Sequence, residues 1–418
     1  MQFTEEQQNV FDKYLNGENI FVTGPGGVGK SELLHYIYED ARERGKDIMV
    51  TATTGCAAVR LNCNARTIYS WAGIGLGNKP VDELVKKINF NKHAKGAWNN
   101  VEILVIDEVS MLSRKLFELL DSLGKRLRRK SAHFGGIQII FSGDFYQLPP
   151  IGDNEESQAF CFESPIWRSV FPNQIELTHI FRQKNHEYAT ILKQIRQGII
   201  KKSANLLLMS RVGLTYDTEI TPTKLYPTKA RVDAMNRASM AKLTGEEYVY
   251  ELKTTEGSEQ IKMECEQLKK GLLCETKLVL KEGAQVMCII NVMNDNKVLD
   301  LFNGSQGIVT GFASGFPIVK FHNGIHKVVM PYNWESEKIS GVCVTQLPLI
   351  LAWAISIHKS QGATLEMAEI DIGSGIFECG QTYVALSRVK SLEGLYLSSY
   401  DPSKIKINLK VREFYSKL

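Results

Sequence analysis

The chain has 418 residues, of which 44% are apolar and 23% charged, with a formal net charge of +4. That length exceeds one ordinary core and predicts about two to four soluble globular domains, while so small a net charge argues neither for nor against nucleic acid, because local patches decide that. No apolar run is long enough for a membrane span, and MQFTEEQQ reads as neither a signal nor a transit peptide. Eight cysteines are scattered through the chain without a C-x-x-C pair, which argues against zinc and for free thiols in a reducing intracellular compartment, cytoplasm or nucleus.

The first strong element is NIFVTGPGGVGKSELLHYIYEDARERGK, Asn19 to Lys46. Ile20, Phe21 and Val22 make a short buried strand. Gly24, Gly26, Gly27 and Gly29 follow as a loop of little bulk around Val28. From Ser31 the apolar positions Leu33, Leu34, Ile37 and Ala41 recur at helical spacing, and Gly45 is a stop. Strand, glycine loop and helix thus flank G-x-x-x-x-G-K-S, the phosphate-binding pattern. Its backbone N–H groups must approach phosphate oxygens, which a Cβ would hinder, and the helix N-terminus adds partial positive charge. Lys30 is expected to reach the β- and γ-phosphates and Ser31 to hold Mg²⁺.

Asn78 to Phe90 places Val81, Leu84, Val85 and Ile88 at helical spacing, which predicts a supporting helix. VEILVIDEVSML, Val101 to Leu112, reads as a buried parallel strand ending in two acids. Ligands bind at that end of open α/β sheets. Asp107 is the expected metal partner and Glu108 the base that orients the attacking water. GKRLRRK, Gly124 to Lys130, concentrates basic residues, for which a solvated helix end is the usual meaning; the family resemblance given below makes a phosphate-contacting patch an equal reading. Ile137 to Phe141 is another buried strand, with Gln147 projecting near its end, where it could sense a γ-phosphate, and with Pro149 and Pro150 stopping regular structure.

Residues 237–282 are rich in Lys and Glu and poorly periodic, and they resist placement. Leu349 to Ala354 reads as a buried strand, Ser356 as the cap of the next helix, and His358, Lys359, Ser360 and Gln361 crowd that junction. QTYVALSRVKSLEGLYL, from Gln381, offers a helix and then a strand. This second α/β unit lacks a phosphate loop, so the expected arrangement is nucleotide bound between two domains. Arg182 and Arg388 are the expected fingers from the second domain, worth roughly a thousandfold or more in rate.

Together these stretches resemble a superfamily 1 helicase of the Pif type, related to the RecD-like group, in a core-only version. FTEEQQNVF resembles the Q motif, which implies that Gln7 reads adenine. Thr51 to Gly77 resembles the stretch lining the single-stranded DNA path. Residues 122–150 resemble the Pif signature running into motif III, ELTHIFRQ motif IV, WAISIHKSQGATL motif V and QTYVALSRV motif VI. GAQVM and LFNGSQGIV resemble a small β-barrel insertion. Tyr69 and Trp71 stand where the family often has histidine and phenylalanine, and Val28 where it often has threonine.

The resemblance implies an α/β fold of two RecA-like parallel-sheet domains. The first is expected over 1–178 with a duplex-splitting wedge insertion at about 73–99, the second over 179–236 and 341–418, and a barrel-containing insertion over 237–340. It also implies an ATP- and Mg²⁺-dependent DNA helicase moving 5′ to 3′, acting as a monomer on single-stranded and forked or tailed duplex DNA in replication, repair, recombination or telomere maintenance, with single-strand-binding or replication proteins as partners. The strand path needs hydroxyls for phosphates and aromatics for bases. Thr54, Thr67, Ser70 and Ser360 are the expected hydroxyls, His358 and Lys359 further contacts, and Tyr69 and Trp71 the stacking rings, each worth about 1–3 kcal/mol. For Trp71 a core position is an equal alternative. Competing readings are a nucleotide-gated clamp or translocase without unwinding, and a superfamily 1 RNA helicase. A small-molecule kinase is disfavoured, since motifs V and VI stand where an acceptor pocket would be.

Overall fold

The computed structural model describes residues 3–61, 63, 65–75, 77–152, 155–183, 185–293, 299–336 and 339–418. Asn62, Asn64 and Leu76, within the expected strand-path stretch, lie outside them. The chain forms two compact units, Met1–Arg182 with Ile407–Leu418, and Gln183–Lys406. Two boundaries therefore differ from expectation. Arg182 belongs to the first unit, and 341–418 does not stay whole, because Ile407–Leu418 returns to the first unit.

The first unit is built on β1 (Ile20–Thr23), β2 (Ile48–Ala52), β3 (Arg66–Thr67), β4 (Ile103–Asp107), β5 (Gln138–Ser142) and β6 (Asn173–Glu176). Their order is β3-β2-β4-β5-β1-β6, and every pairing is parallel. Ile20 pairs with Ile140, Ile106 with Phe141, and Ala52 with Asp107. This register brings the C-terminal ends of β1, β5 and β4 side by side, so three loops distant in sequence open on one edge of the sheet. β4 and β5 begin slightly later than their apolar runs predict, at Ile103 and Gln138.

Both faces of β1 are buried, which is why the strand reads as a continuous apolar run. Ile20 and Val22 share a core with Val10 and Tyr14 of α1 (Glu5–Leu15) and with Leu33, Leu34, Ile37 and Ala41 of α2 (Lys30–Glu43). On the other face Phe21 meets Phe145 and Trp167, each at 5.2 Å between ring centroids. α1 starts with a capping box, in which the Thr4 hydroxyl accepts from Gln7 N and Gln7 Oε1 accepts from Thr4 N.

The expected wedge region holds two helices, Val81–Phe90 and Lys92–Asn100, which bury Leu84, Ile88 and Trp98 completely and leave Phe90 91% exposed. Much of the basic run is structural. Arg128 donates to the carbonyls of Trp98, Asn99 and Val101, satisfying the end of the second of these helices. Lys125 pairs with Asp121 at 2.6 Å and Arg126 with Asp82, while Arg129 and Lys130 stay exposed.

The second unit contains a four-stranded parallel sheet, in the order Ala354–Ser356, Thr223–Tyr226, Ala368–Ile372, Leu395–Tyr400. It also contains a five-stranded antiparallel sheet, in the order His326–Val328, Phe316–Phe321, Gln306–Ala313, Gln285–Cys288, Leu349–Leu351. The stretch 237–282 holds strands Tyr248–Glu251 and Lys277–Leu280, which pair antiparallel, and the helix Glu259–Gly271. The apolar run Leu349 to Ala354 is not one strand. Leu349–Leu351 closes one edge of the antiparallel sheet and Ala354–Ser356 forms one edge of the parallel sheet. Two buried glutamines stitch the sheets together: Gln285 Nε2 donates to Thr221 O and Ala352 O, and Gln306 Nε2 to Thr223 Oγ1 and Met367 O. Among the described residues no helix is long and apolar enough to cross a membrane.

Candidate functional site

The loop between β1 and α2 is shaped by close approach. Gly24 has φ +136°, and a Cβ there would lie 2.3 Å from Leu177 O. Gly29, at φ +83°, caps α2 in the left-handed region, and a Cβ on it would sit 2.9 Å from Gln7 Nε2. Backbone excludes a side chain at Gly24 and the left-handed φ disfavours one at Gly29, which keeps the loop free of bulk beside a helix N-terminus suited to an anion. Val28 turns its side chain into the core, 1% exposed. The Lys30 ammonium donates to Gly24 O at 2.6 Å and Pro25 O at 3.0 Å, folded back over the loop it serves. Ser31 is exposed in the first turn of α2.

Asp107 is the last residue of β4 and is 4% exposed. Glu108 follows at φ +54°, a left-handed conformation that costs a non-glycine residue about 1–3 kcal/mol and clusters at functional sites. Thr53 Oγ1 holds Glu108 in place by donating to its carbonyl at 3.0 Å. Beyond β5 the turn is organised by Asp144, fully buried: its Oδ1 accepts from Tyr146 N at 3.2 Å and its carbonyl from Gln147 N at 2.9 Å. Gln147 is 5% exposed. Lys30 and Ser31 after β1, Asp107 and Glu108 after β4, and Gln147 after β5 therefore stand at one end of adjacent strands.

Gln7 packs on this loop, with its amide nitrogen 3.4 Å from Val28 O and its oxygen taken by Thr4 N. Arg182 departs from expectation. Its backbone N–H, with that of Phe181, donates to Gly27 O at 3.3 and 2.8 Å, so it is an arginine of the first unit beside the glycine loop and is not brought by the second. Arg388 lies in the second unit, 2% exposed, with Nε on Val384 O and Nη2 on Ser387 Oγ.

The expected strand-path residues divide. Tyr69 and Ser70 are half-buried, and burial pushes the Tyr69 phenol above its usual range. Thr54 and Thr67 use their hydroxyls as acceptors for Ala57 N and Ser70 N at local helix starts. Trp71 is 2% exposed, its ring tilted 45° against that of Trp98 at 4.7 Å between centroids, and its indole N–H has no partner among the described residues. A ring so enclosed offers no face to a base, which corrects the stacking expectation. We predict that Trp71→Ala lowers unfolding free energy by about 3–5 kcal/mol, the cost of emptying a large aromatic site, measured by denaturant titration. Loss of single-strand affinity at unchanged stability would reinstate the stacking role.

In the second unit Ser356 caps the helix Ile357–Ser360 as expected, by accepting from Lys359 N. Ser360 is fully buried and donates to Ile357 O at 2.8 Å, so its hydroxyl is engaged inward and not presented at the surface as expected. Lys359 is exposed. Burial holds the His358 imidazole below its usual range, against the opposing pull of Glu378, and its ring lies near-parallel to that of Phe377, 66% exposed, at 6.5 Å. Phe377 carries no motif that marks it in the sequence; its exposure beside His358 appears only in three dimensions.

The residues present fit a magnesium nucleotide. A Cβ at Gly24 would meet backbone and one at Gly29 would be strained by its positive φ, and Ser31 and Asp107 offer a hydroxyl and a carboxylate beyond β1 and β4. Among the described residues no cluster of three His, Cys, Asp or Glu forms a metal cage, and a cation carried by phosphates needs none.

Comparison with known proteins agrees in one direction. Residues 2–216 match the model of the PIF1-like helicase family. A relative from Emericella nidulans named ATP-dependent DNA helicase PIF1 is 36% identical across 96% of this chain, and the chain spans 61% of that protein's length. The crystal structure of a Pif1 helicase from Candida albicans is 37% identical, with a TM-score of 0.81 over 100% of this chain and 99% of that one. A Pif1 helicase from Bacteroides, in complex with ADP-AlF3 and ssDNA, is 28% identical with a TM-score of 0.67, covering 100% of this chain and 97% of that one.

Proposed function

The chain belongs to the PIF1-like helicase family, and on that premise we propose that it is an ATP-dependent DNA helicase that tracks single-stranded DNA, 5′ to 3′, and opens forked or tailed duplexes. The carrying observation is the in-register convergence of three strand ends, which puts a glycine loop with Lys30, an acidic pair and a buried glutamine on one edge of a parallel sheet.

In this reading the backbone N–H groups of Gly26 to Lys30 and the Lys30 ammonium hold the nucleotide phosphates. Gly24 keeps the loop close to Leu177. Gln7 sets the loop through Val28 O and reads adenine with its remaining N–H. Ser31 and Asp107 would hold Mg²⁺, which would supply neutralisation of charge on the phosphoryl group. Glu108 orients the attacking water and takes its proton, and Gln147 senses the γ-phosphate by hydrogen bonding. Arg182, already beside the glycine loop, and Arg388 stabilise developing negative charge. Thr54, Thr67, Tyr69, Ser70, His358 and Lys359 contact the strand.

Strand separation with ATP and Mg²⁺ on three duplexes tests the proposal. Opening of the 5′-tailed duplex alone is expected. Opening of the 3′-tailed duplex alone would keep the motor and reverse its polarity. DNA-stimulated ATP hydrolysis with no duplex opened would replace the helicase by a clamp or translocase.

A further inference from the structure

The chain returns to the first unit to place one hydroxyl. The helix Leu409–Tyr415, capped by Asn408, is anchored by Val411, 1% exposed, and by Phe414, which stacks on Phe162 at 4.4 Å and meets Phe145 edge-on at 5.4 Å. The next residue, Tyr415, lies flat on Tyr146, with centroids 4.6 Å apart and planes 16° apart. Its hydroxyl oxygen is 2.5 Å from Thr23 Oγ1, accepts from Phe145 N at 3.1 Å, and donates to Asp144 Oδ1 at 3.3 Å.

A phenol hydroxyl has one proton and two lone pairs. A carboxylate is the stronger acceptor, so the Tyr415 proton goes to Asp144, and the Thr23 hydroxyl and the Phe145 N–H fill the lone pairs. Every hydrogen-bonding position of the phenol is then used at a single junction. One partner, Thr23, ends β1 and directly precedes Gly24 of the glycine loop. The others, Asp144 and Phe145, begin the turn that presents Gln147, and the Asp144 carboxylate also fixes Tyr146 N within that turn.

We propose that Tyr415 is a positioning residue for ATP hydrolysis: it fixes the spacing between the start of the phosphate loop and the turn that carries Gln147. This rests on the nucleotide reading of the site given above. The side chain does not touch the nucleotide; it acts through Thr23 and Asp144. Freed of that hydroxyl, the turn keeps its packing on Phe414, the ring at 415 stacked on Tyr146 and the backbone bond from Gly143 N to Val22 O at 3.1 Å, but loses its side-chain link to Thr23 at the start of the glycine loop. The effect therefore falls on the chemical step more than on nucleotide affinity.

The test is steady-state ATP hydrolysis with saturating single-stranded DNA, well below the thermal midpoint, by the full chain and by Tyr415→Phe, Phe414→Leu, Thr23→Val and Lys30→Ala. Tyr415→Phe keeps the stacked ring and should lower kcat by roughly tenfold or more, since small misplacement of a catalytic group is costly, with KM for ATP unchanged. Thr23→Val should lower kcat in the same direction, and the double variant should fall no further than Tyr415→Phe alone, because both remove one link. Phe414→Leu should lower the thermal midpoint and keep kcat. Unchanged kcat in Tyr415→Phe would overturn the proposal, as would a fall in kcat matched by Phe414→Leu, which would make the helix merely structural. Lys30→Ala separates the two layers. If it retains turnover, the nucleotide assignment itself fails. If it is inactive while Tyr415→Phe equals the unaltered chain, only the positioning role fails.

Discussion

Lys30→Ala should lower ATP turnover by about a thousandfold or more, the effect expected when a charge clamp on a transferring phosphoryl group is removed. The ammonium donates to Gly24 O and Pro25 O of the glycine loop. Phosphate oxygens are charged acceptors and bind an ammonium more strongly than the loop carbonyls do. Alanine removes that charge and leaves the loop backbone, whose shape Gly24 and Gly29 determine, in place. Fold and single-strand affinity should therefore persist. The check is ATP hydrolysis alongside fluorescence anisotropy with a labelled oligonucleotide. Turnover near that of the unaltered chain would refute the cradle, and lost DNA affinity would mean that Lys30 contacts the strand.

Glu108→Gln carries the second large effect. The substitution preserves size and removes the basic oxygen, so hydrolysis should fall by about 10²–10⁴-fold, the range for loss of a general base. ATP binding should survive, because Lys30 and the loop amides are untouched. The left-handed backbone at Glu108 aims its side chain, and Thr53 Oγ1 holds the carbonyl in that geometry. Glutamine tolerates that backbone no worse than glutamate does, so the folded state should be preserved. Single-turnover hydrolysis with nucleotide binding measured in parallel tests it. Full activity would transfer the base role to another group, and lost binding would make Glu108 a ligand of the nucleotide.

The glycine loop was legible because its determinants are local: one strand, four glycines and a helix contiguous in sequence. The position of the acidic pair at the end of a parallel strand was legible from the apolar run before it, while its reading as more than two solvated acids depends on the glycine loop upstream. Side-chain direction was not. Trp71 and Ser360 both lie in the expected motifs, yet each points inward, a choice made by Trp98 and by Ile357 O and invisible to composition. Arg182 reads as part of a following domain, but two backbone bonds to Gly27 O tie its segment to the first. The run Leu349 to Ala354 reads as one strand because both of its halves are buried, and periodicity cannot register a change of sheet at Ala352 and Trp353. Tyr415 lies far along the chain from Thr23, and no spacing rule connects them.

That change of sheet bears on how such proteins diversify. Three residues close an antiparallel edge and, after only Ala352 and Trp353, the next three become an edge of the parallel sheet, with Gln285 and Gln306 sewn into both. The inserted sheet is therefore not a cassette. Excising it, or grafting in one from a relative, would remove a seam of the host sheet along with the guest, so descent should alter this region residue by residue and seldom exchange it whole.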